Sequence, residues 1–163
     1  MKKLCAWLTI LILLLAALPA PAETQALDGF ELAAQNSRLS LYAQADSGQI
    51  ILEDRASGYL WHSNPQGNDK KAKGAHRQTL LSQLIVTYSN ERGTSLSAAS
   101  AAEAVSKGGL EMMFLDQGLV AVYDFQKPGI KIRVEYKLGP DYLSVILPTA
   151  GIETYPDEEG NEN

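Results

Sequence analysis

Apolar and polar residues alternate with a period of two along most of the chain. The clearest run is IKIRVEYKL (130–138), where Ile130, Ile132, Val134, Tyr136 and Leu138 take one parity and Lys131, Arg133, Glu135 and Lys137 the other. A strand sends successive side chains to opposite faces, whereas a helix would scatter this set around its axis. The run therefore predicts a strand with one wet face. LVAVYDF (119–125) and YLSVIL (142–147) are apolar on both parities for most of their length and predict more central strands. LEMMFLD (110–116), SQLIVTYS (82–89) and RLSLYAQ (38–44) carry weaker forms of the same pattern.

The connections have hairpin chemistry. Asp116-Gln117-Gly118 joins two of these runs. Gln126-Lys127-Pro128-Gly129 joins the next pair, with Pro128 presetting φ and Gly129 free to take a positive one. Gly139-Pro140-Asp141 supplies the third turn, so residues 110–147 predict a four-stranded antiparallel meander. Upstream, SGQIILEDRASGYLWHS (47–63) predicts a further hairpin turning over Arg55–Gly58. There Asp54 accepts from turn amides and Gly58 takes the left-handed conformation. SLSAASAAEAVSKGG (95–109) is ambiguous: its alanines favour helix, while its serines and flanking strands favour strand or loop, which is the expectation. Short strands at this spacing predict an all-β antiparallel sandwich rather than βαβ units.

The first residues bear on compartment. Lys2 and Lys3 precede an apolar run, Leu4–Leu18, of 15 residues, short of the roughly 20 that span a bilayer. Ala20 and Ala22 then offer a cleavage signal with Glu23 as the mature start. The expected organisation is a signal peptide over 1–22, a linker over 23–36, the sandwich over 37–150 and an acidic disordered tail over 151–163. The protein is expected to be secreted or at the cell surface, with no stable membrane anchor after cleavage. The one cysteine, Cys5, falls in the signal, so the mature chain must be held by its core without disulfides. Losing Lys2 and Lys3 reduces the 14 basic residues to 12 against 19 acidic ones, a net charge near −7. That balance excludes nucleic acid as a natural partner, because phosphate binding needs clustered Lys and Arg.

GYLWHSNP (58–65) sets Trp61 beside His62 just before the Asn64-Pro65 break. A strand-end tryptophan is usually packed, and packing at the core's edge is the expectation. The sharper reading is a carbohydrate-binding site, with Trp61 as a sugar platform and His62 or Asn64 bonding a hydroxyl.

LSLYAQADSGQIILEDRASGYLWHSNP followed by LLSQLIVTYSNERG resembles the start of a family of large secreted bacterial proteins catalogued as domain of unknown function 5696. The shared features are the S-G turn, the hairpin carrying Asp54, Ser57, Gly58, Tyr59 and Trp61, the S-N-P break and the S-Q-L-I strand from Ser82. The resemblance spans roughly residues 37–148. It implies an N-terminal sandwich of the galactose-mutarotase-like, supersandwich type that precedes glycoside-hydrolase barrels, in a carbohydrate-processing setting. Members continue for several hundred residues beyond the equivalent of this sequence. The chain is therefore expected to be a fragment, a truncated gene product or a stand-alone derivative. The partner so implied is a C-terminal catalytic barrel absent from this chain, and no catalytic residue carries over.

A search for chemistry gives no site either. Glycoside hydrolysis needs two carboxyl groups at a controlled separation. Asp116, Asp124 and Glu135 all lie on strands or turns of the meander; Asp124 stands out, but its side chain is expected at the sheet's rim. His62 and His76 lack metal-ligand spacing, so neither a metal nor another cofactor is expected. NDKKAKGAHRQ (68–78), with Lys70, Lys71, Lys73 and Arg77, reads as a solvated loop. The tail from Asp157 lacks EF-hand spacing.

Three readings of function remain: a non-catalytic accessory sandwich, a stand-alone carbohydrate-binding module, or a structural surface domain. The accessory sandwich should expose a broad apolar patch. The binding module should instead present a concave face with spaced aromatic rings. With Trp61 the single tryptophan beyond the signal, the accessory domain is the expectation.

Overall fold

The computed structural model describes residues 27–67, 70–90 and 92–156. The alternating runs form strands. In chain order they are β1 (Glu31–Gln35), β2 (Leu39–Ala43), β3 (Ile50–Asp54), β4 (Tyr59–His62), helix α1 (Gly74–Leu81), β5 (Ile85–Ser89) and β6 (Ser95–Ala99). There follow the one-turn helix α2 (Ser100–Glu103), β7 (Leu110–Leu115), β8 (Gly118–Phe125), β9 (Ile130–Leu138), β10 (Leu143–Ile146) and β11 (Ile152–Thr154). The chain is all-β in character, with antiparallel sheets in a sandwich-like arrangement.

Each sheet is a meander, as the short turns require. The first runs β1-β2-β3-β4 and the second β10-β9-β8-β7, with β11 also paired to β9. In the first sheet Leu41 stands opposite both Ala34 and Leu52, which puts Ala34, Leu39, Leu41, Ala43 and Ile50 on one face. In the second, Ala121 opposes Val134 and Tyr123 opposes Ile132. These faces join in a single core in which Leu41, Leu119, Ala121, Tyr123 and Phe125 are fully buried. Burying such a side chain contributes about 1.5–3 kcal/mol, and with no disulfide in this region the core carries the fold. The small sheet β5-β6 adds Val86, Tyr88 and Ala98 to the same cluster.

The predicted turn chemistry is present. Asp54 Oδ1 accepts from the amides of Ala56 at 2.9 Å and Ser57 at 3.2 Å, and Gly58 is left-handed with φ of 70°. In the β2–β3 turn, Gly48 has φ of 73°, and a Cβ there would sit 2.5 Å from the Tyr123 hydroxyl. Both conformation and space therefore demand glycine.

Five expectations need correction. The linker expected over 23–36 contains β1: Ala34 is small enough to be buried as the sheets close, and a bulge between Leu32 and Ala34 sets its register. Part of the expected solvated loop, from Gly74, is helix α1. None of its residues is buried, and polar contacts at its end hold it rather than an apolar face. The ambiguous segment 95–109 divides into β6 and α2, with Ala98 and Ala104 buried, so strand propensity and alanine helicity each prevail in one half. YLSVIL is not central: β10 pairs only with β9 and leaves Val145 and Ile146 exposed. Finally, the sandwich extends past residue 150, because Ile152–Thr154 pairs with Ile130–Ile132 as β11. The signal segment and the tail from Asp157 lie outside the described residues. No helix among the described residues is long and apolar enough to cross a membrane.

Candidate functional site

One cleft of about 540 Å³ opens at an end of the sandwich where three turns meet. Its walls come from the β1–β2 turn (Gln35, Asn36), the β7–β8 turn (Asp116, Gln117) and the β9–β10 turn (Gly139, Pro140, Tyr142), with Lys137 and Ser144 alongside. Two bonds fix its base. Asn36 Nδ2 donates to the Gly139 carbonyl at 2.7 Å, joining the two sheets, and the Leu138 amide donates to the Gln117 carbonyl at 2.8 Å. Asn36 Oδ1 meanwhile accepts from the amides of Arg38 and Leu39, each at 2.8 Å, so this side chain is structural. The Tyr142 ring lies on Gly139, where a Cβ would come within 2.5 Å of it, and the residue is 56% exposed.

The residues predicted to bind sugar do not converge. Trp61 stands opposite Leu52, on the face of the first sheet that carries the core. It lies on edge strand β4 beyond that core and is 47% exposed, so the expected packing does not occur. Its neighbour is Tyr59, edge to face at a centroid separation of 4.9 Å. His62 pairs with Ile51 on the opposite face of the strand. Asn64 is buried, donating to the Leu80 carbonyl at 2.9 Å and accepting from Ser63 Oγ at 2.7 Å and from Gln83 Nε2.

That asparagine belongs to a polar joint which sequence reasoning missed. Ser82 Oγ donates to the Gln78 carbonyl at 2.7 Å and accepts from the Ala101 amide at 2.9 Å. Buried Ser100 Oγ accepts from the amides of Gln83 at 3.0 Å and Leu84 at 3.2 Å. The S-N-P break and the S-Q-L-I strand thus meet in one network that ties β4, α1, β5 and α2 together. Buried polar groups demand such partners, which accounts for these residue types without invoking a ligand.

The carboxylates are equally structural. Asp124, next to last in β8, accepts from the Tyr155 hydroxyl and lies 3.7 Å from Lys131 Nζ, so it fastens the residue after β11 to the outer face of the second sheet. Glu135 is held by Lys137 at 2.8 Å and Arg133 at 3.1 Å, and these bonds, Lys137 first, keep its carboxyl below the usual range. Glu135 opposes Val120 while Asp124 lies four residues further along β8, about 13 Å away at strand rise. That exceeds the roughly 5–9.5 Å used by glycosidase carboxyl pairs. No group of three metal-ligating side chains converges among the described residues.

One further titratable pair lies between the layers. Burial raises the phenols of Tyr123 and Tyr136 above their ordinary value, and for Tyr123 the adjacent Tyr136 adds to the effect. The Tyr123 hydroxyl is sealed from solvent and lacks a partner in hydrogen-bond geometry among the described residues. No protein-family model and no curated protein matches the chain.

Proposed function

We propose that this chain is the non-catalytic β-sandwich domain of a secreted carbohydrate-processing protein, and that its role is to pack against a glycoside-hydrolase-like catalytic barrel. The observation that carries this reading is the distribution of exposed apolar side chains. Val145, Ile146, Leu147 and Ile152 lie exposed along the β10–β11 edge, and Met113, Phe114 and Leu115 on edge strand β7. An edge strand that carries apolar side chains into water invites a partner, because isolated domains normally blunt such edges with charge. The dispersal of the carboxylates supports a role in binding rather than chemistry. The resemblance of residues 37–148 to the secreted bacterial family supplies the carbohydrate setting and the export.

The test is association. The purified chain should form a one-to-one complex with a catalytic barrel encoded at the same locus. Val145→Asp with Ile152→Asp should dissolve that complex and leave the melting temperature of the chain itself unchanged. A chain that ignores the barrel, or that hydrolyses chromogenic glycosides and loses turnover in Asp124→Asn, contradicts the reading.

A further inference from the structure

We infer that the three-turn cleft is a saccharide subsite, with Tyr142 as its stacking platform and Asp116, Gln117 and Ser144 as its hydroxyl-bonding groups. Three observations carry this. The cleft, at about 540 Å³, lies within the ~300–1,000 Å³ range of small-molecule sites. Its base is preorganised by bonds between backbone and the Asn36 carboxamide, so a ligand meets a formed surface rather than a loop it must order. Its remaining polar groups are uncommitted: the side chains of Asp116, Gln117, Tyr142 and Ser144 have no hydrogen-bond or ion-pair partner among the described residues.

The chemistry of that set selects the ligand. A carboxylate accepts from vicinal hydroxyls, an amide both donates and accepts, and a serine hydroxyl does either. A tyrosine ring lying on a glycine backbone gives a rigid apolar surface suited to the C–H face of a pyranose. Anionic ligands are disfavoured, because the one cation of the cleft wall, Lys137, is already bound to Glu135 and Asp116 repels them. A wholly apolar ligand would strand the four polar groups without partners. The choice of sugars over other hydroxylated ligands rests on the carbohydrate reading above; the location of the site does not.

The experiment is an NMR titration of the isotope-labelled chain with cellobiose, xylobiose, maltose and, as a cationic control, spermidine. The expected result is saturable shifts of the Gln117, Gly139 and Ser144 amides with at least one disaccharide. Asp116→Asn and Gln117→Ala should each weaken that binding about tenfold, a loss of about 1.4 kcal/mol. Neither substitution touches the core, and Trp61→Ala should leave the affinity unchanged. Sugar shifts that gather at Tyr59 and Trp61 and vanish in Trp61→Ala overturn the cleft while keeping the carbohydrate reading. Spermidine alone shifting the cleft amides overturns the saccharide assignment. No response to any probe overturns the subsite and leaves the accessory role to its own association test.

Discussion

At the scale of single residues, Asn64 and Trp61 reverse the weights their chemistry suggests. Trp61 is the larger apolar group, yet it overhangs the core from an edge strand, whereas Asn64 sits 6% exposed and bonded to Ser63, Leu80 and Gln83. Removing a buried partner leaves others unsatisfied, which costs about 1–3 kcal/mol. Asn64→Ala should therefore lower stability by about that amount in urea denaturation. Trp61→Ala should cost about 0.5–1.5 kcal/mol, the scale of its ring pair with Tyr59. The reverse order would return Trp61 to the core. The inversion was not legible in the sequence for a physical reason. Asn64 before Pro65 looks like turn chemistry, and its partner Gln83 lies 19 positions away, beyond the reach of local pattern. Whether a tryptophan near a strand's end is covered depends on which strand is the edge, and alternation does not encode strand order.

At the scale of elements, β9 shows how much alternation does encode. Ile132, Val134, Tyr136 and Leu138 are buried, and Lys131, Arg133, Glu135 and Lys137 take the outer face, as the parity of IKIRVEYKL demands. A slip of one residue would invert both sets, so the register is strongly specified. The outer face adds a charge row in which Glu135 bridges Arg133 and Lys137. Because its carboxyl is held below the ordinary 4.5, the row stabilises the fold above that pH, and the contribution disappears as pH falls through the lowered folded value. Glu135→Gln should thus be destabilising at pH 7 and nearly neutral near pH 2, as read by thermal melts at both. A constant difference would show that packing, not charge, matters at this position. Where alternation failed was YLSVIL. Two apolar parities predicted two covered faces, but only Leu143 of β10 packs on the core, and Val145 and Ile146 are exposed at the sheet's edge. The same ambiguity hid β11, whose three residues carry no period of their own.

At the scale of the whole molecule, the meander over 110–147 and the hairpin over 47–63 were legible, because short turns between alternating runs leave little freedom in strand order; β1, which completes the first sheet, was not. The three-turn cleft was not legible. Its walls come from residues near 35, 117 and 140 that only the closure of two sheets brings together. The interlayer phenols give that closure a pH signature. Tyr123 and Tyr136 are held neutral by burial, with folded values raised above 10.0. Stability is unaffected below pH 10. It falls above it, as the unfolded chain gains ionised phenolates that the core refuses. Tyr136→Phe should flatten this alkaline loss in melts between pH 9 and 11; an unchanged slope would mean the phenols are solvated in the native state.

The same closure leaves the β10–β11 edge carrying apolar side chains that the fold itself does not cover, and the proposed function depends on what does. Amide hydrogen exchange of the chain, alone and mixed with the catalytic barrel, measures this most directly. The account predicts new protection at Val145, Ile146 and Ile152, with β8 already slow in both states. Protection gained at Tyr59–Trp61 instead, or nowhere in the chain, would contradict it.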